Sequence, residues 1–236
     1  MRVLAIVHED DTGPGVFIET AAESGWKLDQ WRIAAGERSP DDPFAYDAVV
    51  SCGGSMHAHE HDRFSWLAQE EALLGELAAA GRPVLGVCLG SQLLARATGG
   101  TTSEMEEPEI GWYPVRLSDG AQGDPVMGGL APSFRSLQWH SCEFHPGPGS
   151  VTLAESAVCA QAFRVGERAW GIQFHAEVTL ADFESWLDSD GDSEKPADVP
   201  ALRAQTRAGI GAWNELGRGL FARFLNIAEP GRRTTA

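Results

Sequence analysis

Basic residues are scarce in this chain. Lys and Arg total 18 against 34 Asp and Glu, a net charge of −16. That deficit argues against sequence-independent nucleic-acid binding, which needs basic residues to meet phosphates. It argues equally against docking on an anionic membrane surface. Long apolar runs are missing too: no segment approaches the roughly 18 apolar residues of a membrane span. The apolar run Val3–Val7 is too short for a signal-peptide core, and acids follow it at once. Cysteines are few. Cys52, Cys88, Cys142 and Cys159 form no C-x-x-C pair and are too sparse for a disulfide scaffold, so a reducing cytoplasm is the expected location. There is no internal repeat and no low-complexity tract. Gly13-Pro14-Gly15 reads as a turn before a helix, because no Lys-Ser/Thr follows it as a phosphate loop requires.

What is present suits one α/β domain over residues 1–236. The length can bury a large core, and 43% of the residues are hydrophobic. The first half alternates strand and helix signals: strands at Val3–His8, Trp26–Ile33, Ala45–Ser51 and Pro83–Val87, helices at Val16–Gly25, Arg63–Ala80 and Ser91–Thr98. Such alternation predicts a mostly parallel sheet flanked by helices on both faces. Ligands of such sheets bind beyond the carboxyl ends of the strands, which directs attention to the residues after Val50 and after Val87.

The second half reads as an antiparallel extension. Strand-like runs at Ile110–Leu117, Phe134–His140, Val151–Ser156, Gln161–Val165 and Ala169–Phe174 are separated by Gly/Pro turns. Thr101–Ile110 reads as an acidic solvated loop, Asp188–Pro200 as an exposed acidic loop, and Glu229–Ala236 as a frayed tail. A final helix is expected over Ala201–Ile227, with Ile210, Trp213, Leu216, Leu220, Phe221, Phe224 and Leu225 on its apolar stripe. Gly209, Gly211, Gly217 and Gly219 work against its continuity.

The most informative stretch is Pro83–Ala95, PVLGVCLGSQLLA. A buried-type strand runs into Gly86-Val87-Cys88-Leu89-Gly90 and then into a helix, the pattern of a nucleophile elbow. Small residues two before and two after the nucleophile relieve the crowding of that turn. A helix N-terminus there favours the thiolate, and the Leu89 N–H can face a developing oxyanion. Taken alone, the stretch also fits an inert core cysteine, but such a cysteine does not need the paired glycines. A nucleophilic cysteine needs a base, and the base an orienting group. His175 closes an apolar strand, and Glu177 follows two residues on. In extended backbone the two point to one side, so Glu177 can hold one ring nitrogen while the other faces a thiol.

These residues resemble the class I (triad-type) glutamine amidotransferases, in particular the stand-alone GMP synthase-like members. The resemblance rests on Gly86-x-Cys88-x-Gly90-x-Gln92, Gly53-Gly54 after a strand, Trp139-His140, and Phe174-His175-Ala176-Glu177, and covers about Ala45–Val178. It implies a three-layer, flavodoxin-like fold. Cys88 would attack the side-chain amide of glutamine and form a γ-glutamyl thioester. His175 would protonate the leaving ammonia and then activate water, with Glu177 orienting it. The N–H groups of Gly54 and Leu89 would form the oxyanion hole. Gln92 would contact the bound glutamine, and Trp139-His140-Ser141-Cys142 would present backbone to its α-amino and α-carboxylate ends. No cofactor and no metal are implied. The ammonia acceptor, if there is one, would lie on a separate synthetase polypeptide.

Three positions depart from the family pattern: Ser55 and Ala176 stand where proline is frequent, and Cys142 where an acid is frequent. The last bears on how a glutamine α-amino group is held. It leaves open another γ-glutamyl compound, an amine or a peptide, as substrate. A catalytically weak regulatory protein of the same fold is a further alternative. His57, His59 and His61 alternate with acids like metal ligands, but their place between a Gly-Gly turn and a helix reads as a solvated loop overhanging the Cys88 pocket. Trp66, Trp112, Trp139, Trp170, Trp186 and Trp213 read as packing residues, and Cys52 and Cys159 as core.

Overall fold

The computed structural model describes residues 1–189 and 198–229. Among these residues nine strands form one sheet in the order β2-β1-β3-β4-β9-β8-β7-β5-β6. The strands are β1 (Arg2–Val7), β2 (Lys27–Arg32), β3 (Ala48–Ser51), β4 (Val84–Val87), β5 (Thr101–Leu117), β6 (Ser133–His145), β7 (Ser150–Glu155), β8 (Ala160–Val165) and β9 (Ala169–Ile172). The helices are α1 (Phe17–Glu23), α2 (Ser65–Ala79), α3 (Leu89–Ala97), α4 (Leu180–Asp188) and α5 (Val199–Ala228). Strands β2, β1, β3, β4 and β9 run parallel, and β8, β7, β5 and β6 continue antiparallel. The α/β reading and the antiparallel extension therefore hold.

The apolar runs are continuous because both faces of the parallel half are buried. Val3, Ala5 and Val7 face a core shared with Phe17, Phe183, Trp213 and Phe221. Leu4 and Ile6 face the other core, with Leu67, Leu74, Leu77 and Leu93. Helices α1, α4 and α5 thus cover one face and α2 and α3 the other. Among the described residues no helix is long and apolar enough to cross a membrane.

Several boundaries differ from the sequence reading. Thr101–Ile110 is not a loop: it is the first part of β5, pairing Thr101 with His145 through Glu104 with Cys142. Its acids and Pro108 have poor strand propensity, and long-range pairing with β6 overrides it. The register slips between Glu104 and Glu109, so several β5 residues bulge opposite Ser141. Helix α4 was not expected. Its signal is the capping box Thr179-x-x-Asp182, in which Thr179 Oγ1 accepts from the Asp182 N–H and Asp182 accepts from the Thr179 N–H. The expected loop over Asp188–Pro200 has helical ends: Asp188 closes α4, and Val199 and Pro200 open α5 under an Asp198 cap. Its middle, 190–197, and the tail 230–236 lie outside the described residues. Helix α5 runs unbroken for 30 residues despite its glycines.

Candidate active site

The site is built where β4 meets α3. Helix α3 begins directly at Leu89, earlier than expected, so Cys88 is its N-cap residue. Cys88 has φ 49° and ψ −109°, and it is the sole non-glycine with positive φ among the described residues. Such a conformation marks strain held by its surroundings. Its N–H donates to Ile172 O on β9 at 2.8 Å, and its carbonyl accepts from Gln92 N at 3.0 Å and Ser91 Oγ at 2.6 Å. The flanking glycines are sterically required. A Cβ on Gly86 would lie 2.5 Å from Gly90 O, and one on Gly90 would lie 2.2 Å from Ser51 O.

His175 follows β9, which ends at Ile172 rather than Phe174. The 173–177 backbone bends instead of staying extended, yet the side chains still meet: His175 Nδ1 is 2.7 Å from Glu177 Oε1. The ring lies beside Cys88: a Cβ on Gly53 would stand 2.9 Å from His175 Cε1 and 3.7 Å from Cys88 Cβ. Burial disfavours the imidazolium, but Glu177 and Cys88 outweigh it and push the His175 pKa up to about 10. These neighbours favour the imidazolium form of His175. Trp186 stands edge-on to the His175 ring at 4.8 Å and packs on Trp139.

The 175–178 loop is held from outside. Trp213 Nε1 donates to His175 O, Val16 N–H to Glu177 O and Asn214 Nδ2 to Val178 O, each at 2.8 Å. Gly217 abuts Ala176 O, which a Cβ there would approach to 1.9 Å. The Gly13-Pro14-Gly15 turn thus has a task, delivering Val16 to the 175–178 loop.

Cys88, His175 and Gly54 open on a cavity of about 670 Å³, which Gln92, Trp139, His140, Ser141 and Cys142 also line. All the expected site residues except the buried Glu177 and Leu89 reach its wall. Several are committed elsewhere. One Gln92 N–H donates to Cys142 O at 3.0 Å. The His140 ring lies between Cys142 O at 2.9 Å and Glu109 Oε2 at 3.1 Å. The Cys142 thiol is buried and pushed up to about 12 by burial first and then by Glu104. Trp139 O lies 3.9 Å from Cys88 Sγ.

Of the three alternating histidines, His57 lines this cavity, and two converge. His57 and His59 approach Glu104 Oε1 at 3.6 and 4.0 Å, while His61 turns to Glu71 at 3.1 Å. His57, His59 and Glu104 bring donor atoms within 4.8 Å of one another, as do Glu109, His140 and Cys159. In the second group Glu109 Oε2 already accepts from Gln161 Nε2 at 2.7 Å.

The family model for class-I glutamine amidotransferases matches residues 18–189. The chain belongs to this family. A glutamine amidotransferase-like protein of Salmonella typhimurium, YfeJ, is 29% identical over 219 residues, 91% of each chain. A component of the glutamine-hydrolysing GMP synthase of Ignicoccus hospitalis is 34% identical over 143 residues, 59% of this chain and 71% of its own. A crystal structure of a glutamine amidotransferase from Thermotoga maritima superposes with a TM-score of 0.85 at 29% identity, covering 95% of this chain and 98% of that one. The mixed sheet with its helical flanks is therefore the amidotransferase fold.

Sequence reasoning missed His8, Glu70 and Trp186 as neighbours of the site. The strand-end rule applied after β3 and β4 applies equally after β1, where His8 stands. Nothing in the sequence separates Glu70 from other helix glutamates or Trp186 from packing tryptophans.

Proposed function

We propose that this amidotransferase hydrolyses the side-chain amide of glutamine through Cys88, His175 and Glu177. One observation carries the reading: a strained cysteine at a helix N-terminus shares the wall of one cavity with a histidine whose Nδ1 is bonded to a buried glutamate. The Cys88 thiolate attacks the amide carbonyl, and the Leu89 and Gly54 N–H groups stabilise the oxyanion. Among the described residues neither N–H donates to a protein acceptor. The His175 imidazolium passes its proton to the departing nitrogen as the C–N bond breaks, leaving a γ-glutamyl thioester and ammonia. Neutral His175 then takes a proton from water as it attacks the thioester. Glutamate leaves, and the thiolate–imidazolium pair returns. Gln92 and the Trp139–Cys142 strand would bound the glutamine.

The GMP synthase component among the relatives suggests a separate synthetase polypeptide as the destination of the ammonia. A second reading, hydrolysis of another γ-glutamyl amine, has one feature in its favour. Among the described residues Glu9, Asp11, Glu60 and Glu104 line the cavity with Arg63 as the one Lys or Arg.

Ammonia release by the purified chain, with Cys88→Ala as control, is the test. Release from glutamine that disappears in the variant supports the proposal. Release only from γ-glutamyl amines supports the second reading. Failure of all substrates, together with failure of a glutamine-analogue electrophile to label Cys88, overturns both.

A further inference from the structure

Behind the Gly53-Gly54 turn lies a second buried histidine–glutamate pair that the triad does not use. His8 follows β1, and the β1–β3 register, Ile6 opposite Ser51, brings it beside Gly53. Its Nδ1 is 2.7 Å from Gly53 O and its Nε2 is 2.7 Å from Glu70 Oε2. The other Glu70 oxygen accepts from Ser51 Oγ at 2.7 Å. Both side chains are 0% exposed, and the Trp66 ring stacks on His8 at 5.0 Å.

We propose that His8, backed by Glu70, is a positioning residue that holds the Gly53–Gly54 peptide with the Gly54 N–H aimed at the oxyanion. This rests on the oxyanion-hole assignment above. The peptide is trans, so its C=O and N–H point in opposite directions. With the Gly53 carbonyl fixed on His8, the Gly54 N–H faces away from His8, towards the Cys88 side of the turn. Gly53 touches that side directly: a Cβ on it would lie 2.9 Å from His175 Cε1 and 3.7 Å from Cys88 Cβ. His8 packs under the next residue, since a Cβ on Gly54 would lie 3.2 Å from His8 Cβ.

A tether is needed because a peptide between two glycines turns over easily. A reversed peptide would offer the oxyanion a carbonyl oxygen instead of a donor. Carbonyl and carboxylate oxygens only accept, so both His8 ring nitrogens must donate, which makes the ring an imidazolium. Burial opposes that charge, but Glu70 outweighs it and the His8 pKa is raised. Buried ion pairs contribute little net stability compared with apolar packing, which favours a positional role. A second strap acts one residue on. Glu9 accepts from Ser55 N at 2.8 Å and from Ser55 Oγ at 2.7 Å, a grip that proline at this position would lose.

Two variants separate the contacts. In His8→Asn the amide nitrogen can stand where Nδ1 stood and keep Gly53. In His8→Gln it reaches the Nε2 position and leaves Gly53 unheld. Removing one oxyanion donor costs about 10²–10³ in kcat. H8Q is therefore expected to lose about ten- to a hundredfold in kcat with KM for glutamine within threefold, and H8N to stay within about fivefold of the parent. Alkylation of Cys88 by iodoacetamide builds no oxyanion and should be unchanged in both. The reverse order of H8N and H8Q, a loss confined to KM, or a parallel loss of alkylation would overturn the proposal. If the unmutated protein hydrolyses no γ-glutamyl substrate, the functional reading fails by itself. A crystal structure of H8Q then decides the positioning, and an unmoved Gly53–Gly54 peptide would refute it.

Discussion

Gly217→Ala sets helix propensity against the geometry of the 175–178 loop. Alanine in a helix interior is favoured over glycine by about 1 kcal/mol, so propensity alone predicts a more stable protein. The structure predicts the opposite. The new Cβ would lie 1.9 Å from Ala176 O, where real Cβ atoms stay beyond 3.0 Å. At least 1.1 Å must therefore be found by moving either α5 or the 175–178 backbone. Neither moves freely, because Trp213 and Asn214 on the same helix are bonded to that loop. Overpacking of this kind costs about 1–3 kcal/mol, and with backbone on both sides the upper end applies. The net loss is about 1–2 kcal/mol after the propensity gain. At about 2–4 °C per kcal/mol for a chain of this size, Tm falls by roughly 2–8 °C. A displacement of about 1 Å at His175 and Glu177 should also lower kcat on the order of 10²-fold. Gly211→Ala is the control. It lies in the same helix with nothing within 4 Å of its would-be Cβ, so Tm should rise by about 2–4 °C with kcat unchanged. Scanning calorimetry and steady-state ammonia release read both variants. If G217A matched G211A in Tm and kcat, the close approach would not matter and the argument would fail.

Three further outcomes follow from other contacts. Glu177→Gln removes the charge that opposes burial at His175, so the ring should lose its proton well below pH 10 by NMR titration, and kcat should fall on the order of 10³–10⁴. Brief iodoacetamide treatment near pH 8 should modify Cys88 alone by peptide mass mapping. Burial keeps Cys52, Cys142 and Cys159 as thiols, the last two pushed up to about 12; equal labelling of Cys142 would contradict this. Asp124→Ala should destabilise the chain by about 3 kcal/mol or more in urea. Asp124 is buried, pairs with Arg164 at 3.0 Å, accepts from Trp170 Nε1 and caps Val126 and Met127.

The parallel half was legible because each strand is a short apolar run closed by a turn, and burial on both faces leaves little ambiguity. The elbow was legible because its glycines are a steric demand written into adjacent residues. The Glu177 contact was anticipated, although the bend after Ile172 replaces the extended backbone that suggested it. Contacts set by distant pairing were hidden. Thr101–Glu107 is a strand only because β6 lies beside it, and Glu70 acts only because α2 carries it under β1. Helix α5 shows the same limit: its glycines read as weakness, whereas Gly217 is where the helix seats against the 175–178 loop.

The adjacency of β4 and β9 has a consequence for folding. Their register pairs Val87 with Ile172, so Cys88 and His175 are brought together by strands 85 residues apart in the chain. Closing such a loop costs about 4 kcal/mol in chain entropy, and strands β5 to β8 lie within it. A nascent or half-folded chain would carry Cys88 without His175 beside it. Recovery of activity after dilution from denaturant should then lag behind recovery of helical signal, because the proposed catalytic pair assembles with the most non-local pairing in the sheet.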